Sequence, residues 1–232
     1  MTVYLGIDDT DTPESRGTGR LARMIATELS GICRISGVTR HQLYVHDDIP
    51  YTSHNSCAVL HIEEVENGSV REIFTAAREL ILADFIEGSD PGICIAPENQ
   101  VPDHLLSFGL RAKSSVVTQD EARHLARQAG ITLEGLGGTN GGIIGALAGV
   151  GLAASRNDGR FVVRGCTRDL KGCQTVATLL GGGVDSVMTA DGIHVTEGVV
   201  EIRKFPKPAL RQGRAVLFVE DAGGVYRDLV VG

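Results

Sequence analysis

The chain predicts an α/β fold with a β-rich tail, and three observations carry that expectation. Val3, Leu5 and Ile7 alternate with Tyr4 and Gly6 at the period of a strand, and Leu21, Met24, Ile25 and Leu29 then share one helical face that Gly31 can end. Strand-like and helix-like stretches keep alternating to about residue 180, the pattern of mixed α/β layers. Beyond Gly181-Gly182-Gly183 the pattern reduces to short strands, so a boundary is expected at that glycine run, between residues 1–180 and 184–232.

Composition sets the class. A hydrophobic fraction of 42% and a charged fraction of 22% over 232 residues suit an ordinary globular protein of one large or two small domains. The formal charge of −7 argues against broad phosphate-backbone binding, which needs a basic face, and hence against tRNA as a partner, although a local basic patch could survive. Cys33, Cys57, Cys94, Cys166 and Cys173 are odd in number and contain no Cys-x-x-Cys pair, which points to reduced thiols in a cytoplasmic protein. No basic-then-apolar leader opens the chain. The longest apolar stretch, Gly141 to Ala154, is too short and glycine-rich to span a bilayer, so no membrane partner is expected; a homo-oligomer remains open.

The first strand empties into Asp8, Asp9 and Asp11. Carboxylates this close raise one another's pKa unless a cation neutralises them, and an oxygen-only set suits Mg2+, which usually arrives with phosphate. Gly17, Thr18 and Gly19 stand at the start of the following helix, where unpaired N–H groups and the helix dipole favour an anion. Strand, acidic turn and helix start together suggest a metal–nucleotide site with Thr10 in its turn; a plain surface turn capping a helix is the bland alternative.

In chain order, 32–45 offers one or two strands, the polar loop 51–56 carries His54 and Asn55 as candidate ligand contacts, and Cys57 to Ile62 alternates as a strand. Ser69-Val70-Arg71-Glu72 has the form of a capping box before a helix with Ile73, Phe74, Ala77, Leu80 and Ile81 on its apolar face. Asp90-Pro91-Gly92 turns into the strand Ile93 to Ala96, and Thr118-Gln119-Asp120-Glu121 is a second capping box for a helix running to Gly130. The loop Gly138-Thr139-Asn140-Gly141-Gly142 gathers free backbone N–H groups ahead of a glycine-spaced helix and is a candidate phosphate cradle, without the spacing of a Walker P-loop. A strand at 161–164, a helix around 170–180 and strands near 193–202, 214–220 and 225–231 complete the chain, with Asp221-Ala222-Gly223-Gly224 as a hairpin turn. Lys204, Lys207, Arg211 and Arg214 form a cationic stretch that reads either as an anion contact or as a solvated loop.

Gly6-Ile7-Asp8-Asp9-Thr10-Asp11, with Thr18 and Leu21-Ala22 behind it, resembles the amino-terminal signature of the archaeal agmatidine synthetases, which modify the wobble cytidine of an isoleucine tRNA. Three weaker echoes follow in order: Ile49 to Asn55, Asp90-Pro91-Gly92, and Asn140 to Ala148. The resemblance covers about residues 1 to 165 and implies a kinase-like α/β domain with a ferredoxin-like part. It implies ATP and Mg2+ as cofactors, Asp8, Asp9 and Asp11 as catalytic metal ligands, and Thr18 as the active-site threonine. The chain departs from the family at Thr52, His54 and Gly141, where the family carries cations, and the family's OB-fold and zinc ribbon are not expected here.

The expected function is therefore Mg2+-dependent ATP use by a phosphotransferase or ligase-like enzyme with an unidentified small-molecule acceptor. Three alternatives stand beside it: a haloacid-dehalogenase-like phosphatase using Asp9 and Asp11, a nucleotide-binding protein without catalysis, and a tRNA-modifying enzyme like the long relatives.

Overall fold

The computed structural model describes residues 1–12, 17–49, 54–66 and 68–231, which form two compact units, Met1–Ser155 and Arg156–Gly232. The first opens with β1 (Val3–Asp8), α1 (Thr18–Leu29), β2 (Arg34–Gln42), β3 (Ser56–Glu63), α2 (Ser69–Ala83) and β4 (Gly92–Pro97). This β-α-β-β-α-β order is the ferredoxin-like one. β1 lies between β3 and β4, with Leu5 opposite both Leu60 and Ile95, and β2 flanks β3; every pair is antiparallel. The unit continues with α3 (Asp103–Arg111), α4 (Gln119–Ala129), β5 (Thr132–Gly135) and α5 (Ile143–Ala154), and β5 extends the sheet beyond β4. Sequence periodicity missed α3 and β5, which are short and bury few side chains.

β1 serves two cores because successive strand residues face opposite ways. Val3, Leu5 and Ile7 are buried on the face that α1 and α2 cover, and Leu21, Ile25, Ile73 and Ile81 are the buried residues of those helices. Tyr4 joins Cys57, Val59 and Cys94 on the opposite face, against Leu105, Phe108, Ala126, Leu147 and Val150 of α3, α4 and α5. The layered α/β class expected from the sequence is therefore present, with α5 as a helix buried almost all round. Its glycines make that burial possible. A Cβ at Gly149 would come within 2.8 Å of Cys57 Sγ, one at Gly151 within 2.2 Å of the Leu105 carbonyl, and one at Gly109 of α3 within 2.8 Å of the Ala148 carbonyl.

Of the two expected capping boxes, the second forms its threonine cap, with the Glu121 carboxylate paired to Arg111 instead, and the first makes no side-chain cap. Thr118 Oγ1 accepts the Glu121 N–H at 3.3 Å, and Gly130 closes α4 in the left-handed conformation. Ser69 is already the first helical residue of α2, behind Gly68, and makes no side-chain cap.

The second unit contains β6 (Arg160–Val163), β7 (Gly172–Thr175), α6 (Val176–Gly181), β8 (Ser186–Thr189), β9 (Val199–Ile202), β10 (Ala209–Arg211), β11 (Arg214–Asp221) and β12 (Tyr226–Leu229). Strand order is β6-β10-β11-β12-β9-β7, with β8 parallel to β11. Val176, Leu179, Val187, Val200, Leu217 and Val219 form its core. The helix expected over 170–180 is half that length: Gly172 takes a positive φ of 66°, its segment pairs with β9, and only Thr175, which accepts the Thr178 N–H at 3.1 Å, starts the helix. The expected β11–β12 hairpin forms, closed by the Ala222 N–H to the Val225 carbonyl at 2.9 Å. Gly181 to Gly183 lie inside this unit, and the division between the two units falls at Ser155 and Arg156 instead. Among the described residues, no helix is long and apolar enough to cross a membrane.

The α3–α5 contact yields a stability test. Gly151→Ala drives a methyl into the Leu105 backbone, so urea unfolding should show a loss of about 1–3 kcal/mol, the range for overpacking a tight core. An unchanged midpoint would mean that α3 does not seat against α5 at this point.

Candidate active site

Asp8 ends β1 on the face shared with Tyr4 and Gly6, so it points to α5. Two glycines make room: a Cβ at Gly6 would sit 2.3 Å from the Ala146 carbonyl, and one at Gly145 would sit 1.7 Å from Asp8 Oδ2. Burial, then the neighbouring Asp9 and Asp11 charges, push the Asp8 carboxyl up to about 7 against the opposing backbone N–H of Asp9.

Asp9 takes a positive φ of 52°, a left-handed conformation that aspartate tolerates better than most residues, and this turns the chain out of the strand. Its carboxyl is pushed up to about 6, first by burial and then by Asp90 and Asp11. Asp90 is a fourth carboxylate that sequence reasoning placed only in a turn; its one signal was the Asp90-Pro91-Gly92 echo. Its backbone N–H donates to the Asp9 carbonyl at 3.2 Å, and its side chain accepts from both the backbone N–H and, at 2.8 Å, the hydroxyl of Thr139.

Those bonds bring the predicted glycine loop to the carboxylates. The Gly142 N–H donates to the Asp90 carbonyl at 2.9 Å, the Asn140 N–H to the Gly137 carbonyl at 3.0 Å, and Gly138 and Asn140 hold positive φ of 56° and 62°. Neither Gly138 nor Gly142 could carry a side chain: a Cβ would lie 1.8 Å from Asp90 Oδ1 at the first and 2.5 Å from the Asp90 carbonyl at the second. At Gly141 a Cβ would lie 3.7 Å from an oxygen of Asp9 and of Asp90 alike. The start of α5 thus adjoins the carboxylates.

On the other side, Gly17 at φ 82° precedes α1, and Thr18 is its first residue. Thr18 is nearly buried; its hydroxyl donates to Asp11 Oδ1 at 3.3 Å and accepts from the buried Thr10 hydroxyl at 3.1 Å. Gly19 accepts from Arg23 through its carbonyl at 2.7 Å. Sequence reasoning also missed Arg40 on β2, whose Nε donates to Ser56 Oγ at 2.8 Å. Burial lowers its pKa, while the Cys57 thiol and the Asp11 carboxylate oppose that shift, so Asp11 has a cation in its surroundings.

Other predicted residues are placed elsewhere or otherwise employed. Asn55 spends its side-chain N–H on the Tyr44 carbonyl at 2.6 Å and serves the end of the β2–β3 pair rather than offering that donor to a ligand. His54 is exposed. Residues 51–53 of the expected loop, Thr52 included, lie outside the described residues. Among the described residues, no three acidic, histidine or cysteine side chains converge as a metal-binding group. The expected chelate of Asp8, Asp9 and Asp11 is therefore not a single cage: strand alternation sends Asp8 to α5, the turn at Asp9 carries the next carboxylate to Asp90, and Asp11 serves Thr18. A Mg2+ delivered on phosphates is commonly touched by only one or two carboxylates, and the adjoining Asp9 and Asp90 side chains offer oxygens of that kind.

No protein-family model matches the chain. The tRNA 2-agmatinylcytidine synthetase TiaS of Pyrococcus horikoshii, an enzyme of isoleucine tRNA, is 30% identical over 155 residues, covering 65% of this chain and 36% of that protein. The Thermococcus sibiricus TiaS is 24% identical over 154 residues, again 65% of this chain and 35% of the relative. Among solved structures, apo TiaS superposes with a TM-score of 0.55 at 26% identity, and the complex of TiaS with isoleucine tRNA and ATP with 0.56 at 27%; both cover 65% of this chain and 35% or 36% of theirs. This chain is a partial homologue of TiaS. It spans about a third of the length of the curated TiaS relatives it matches.

The homology corrects one expectation outright. TiaS is a synthetase of isoleucine tRNA and has been crystallised with it, so the expectation that tRNA is an unlikely partner does not stand. The net charge is a sum that hides an uneven distribution: residues 1–155 carry 11 Lys and Arg against 20 Asp and Glu, whereas residues 156–232 carry 11 against 9. The acid is concentrated in one unit only.

The raised carboxyls set a pH signature. A carboxyl with a folded pKa above its unfolded value contributes stability that is present below the unfolded pKa, near 4, and lost as pH rises towards the folded value, here about 7 for Asp8. Asp8→Asn should therefore melt at a higher temperature than the wild type at pH 8 and close to it at pH 4. Equal differences at both pH values would show that Asp8 is not held in a desolvated, like-charged setting.

Proposed function

We propose that this chain is an ATP-dependent, ligase-type enzyme that acts on tRNA, with its nucleotide site in the first unit. The observation that carries the proposal is the meeting of Asp8, Asp9 and Asp90 with the glycine loop at the start of α5, in a chain partially homologous to a synthetase crystallised with ATP. In this reading the N–H groups of Thr139, Asn140 and Gly142 hold the glycine loop in shape, the backbone at Gly138 and Gly141 and the start of α1 at Gly17, Thr18 and Gly19 approach the phosphates, and Thr10 orients the Thr18 hydroxyl. Mg2+ carried on those phosphates would be touched by one or two carboxylates at the end of β1, Asp9 among them, and would neutralise phosphate charge there.

The chain's own groups then position and polarise. The Asp11 carboxylate, hydrogen-bonded to Thr18, fixes the direction of that hydroxyl and can take up its proton; Arg40 supplies positive charge in the same neighbourhood. Phosphoryl transfer depends chiefly on such placement and on charge neutralisation. In this ligase-type reading the terminal phosphoryl group of ATP passes to a carbonyl oxygen of the acceptor with release of ADP, and an amine then displaces that oxygen as phosphate, forming the C–N bond and giving up a proton. The structure of TiaS with isoleucine tRNA, an ATP analogue and agmatine favours tRNA and a guanidino-amine as the second and third substrates. The homology runs to a synthetase, so the phosphatase alternative gains no support.

Calorimetry with ATP should show binding that requires Mg2+ and weakens at least tenfold in Asp9→Asn; binding of equal strength in EDTA would reject the assignment. Thr18→Ala should lower incorporation of labelled agmatine into isoleucine tRNA by roughly 100-fold, the scale of losing one transition-state contact, while Thr18→Ser retains most of it. ATP binding without any incorporation would leave a nucleotide-binding protein that does not catalyse this reaction.

A further inference from the structure

The second unit holds a cavity of about 300 Å³ lined by Ser186 and Met188 of β8, by His194, by Arg211 of β10 and by Arg214 and Phe218 of β11, among others. Strand alternation explains the lining: Arg214, Val216 and Phe218 face it while Ala215, Leu217 and Val219 are buried on the other side. No carboxylate is among its lining residues.

Arg211 and Arg214 are register partners across a two-residue hairpin, so two like charges stand directly opposite each other, an arrangement that destabilises a strand pair on its own. The hairpin is nevertheless firmly built. Gln212 and Gly213 take φ of 50° and 74°, the Gln212 N–H donates to Asn157 Oδ1 at 2.8 Å, and the Gly213 N–H donates to the Arg156 carbonyl at 2.9 Å. The guanidinium groups are bonded only to neutral carbonyls: Arg211 to Asn157 and Leu210 at 3.2 and 2.8 Å, and Arg214 to Asp185 at 3.0 Å. Those bonds aim both guanidinium groups, and among the described residues neither makes an ion pair. A third cation adjoins them, since a Cβ at Gly213 would meet the Arg156 guanidinium within 2.4 Å.

We propose that this cavity binds a nucleotide unit, its phosphate between Arg211 and Arg214 and its base or sugar against Phe218 and Met188. Fixed guanidinium groups match phosphate geometry, and an aromatic face beside them suits a base without demanding a particular sequence. The volume is at the lower end for ligand pockets and suits one such unit. The proposal deepens the tRNA-directed function above and rests on it for the expectation that the unit belongs to an RNA strand rather than to a free nucleotide.

Fluorescence anisotropy with labelled single-stranded decauridine, and calorimetry with AMP, test it on the full chain. Wild type should bind the RNA with a clear salt dependence. R211Q/R214Q should bind it at least tenfold more weakly, with the log–log salt slope reduced by about 1, while its ATP affinity is unchanged. R211Q alone, which removes contacts to two carbonyls only, should lose part of the same affinity and serves if the double variant melts early. Binding of AMP but not RNA, lost in the same variants, supports the pocket with a free nucleotide as its ligand. Binding of neither probe, or equal binding by wild type and both variants, overturns the proposal. ATP titrated into the same samples reports on the first-unit site independently, so failure there is distinguishable from failure here.

Discussion

The first unit depends on how closely β1 and α5 approach. Gly6 on the strand faces the Ala146 carbonyl of the helix, and one residue pair further along, Gly145 on the helix faces the Asp8 carboxylate. A side chain at either glycine would separate the two elements. Their contact packs Tyr4, Cys57 and Cys94 against a helix whose own surface is mostly alanine and glycine. It also presses a carboxyl into a desolvated position at the end of a central strand, where its charge is costly until a cation or proton arrives. Packing and chemistry are thus coupled at the end of one strand.

The same coupling organises the surrounding turns. Asp90 joins three segments: its N–H meets Asp9, its carbonyl takes the Gly142 N–H, and its side chain takes Thr139. The glycine loop is consequently held by the residue whose charge raises the Asp9 carboxyl. Thr139, a candidate phosphate contact by sequence, is engaged with Asp90 through both its N–H and its hydroxyl. The turn at Asn140 and Gly141 is what brings backbone close to the carboxylates.

The second unit follows a different logic. Its strands are short, its core is small, and the cavity at the β10–β11 hairpin is lined by two arginines. An acidic first unit and a slightly basic second unit within one chain suit metal–phosphate chemistry and anion binding respectively, and a single net charge conceals that division.

Short-range patterns were enough to place most local elements. Alternation at Val3 to Ile7, the helical face of Leu21 to Leu29, the Thr118 cap and the Asp221 to Gly224 turn are all signals carried by neighbouring residues, and each formed. The same kind of signal drew attention to Asp8, Asp9, Asp11 and Thr18, because an acidic strand end before a helix start is a contiguous pattern. Which carboxylates face one another is not written in such patterns. Asp90 reaches Asp9 through the β1–β4 pairing, Arg40 enters the surroundings of Asp11 from β2, and Arg211 meets Arg214 through hairpin register. Side-chain proximity across strands is set by register and by how closely backbones can pack, and both depend on the whole sheet being assembled.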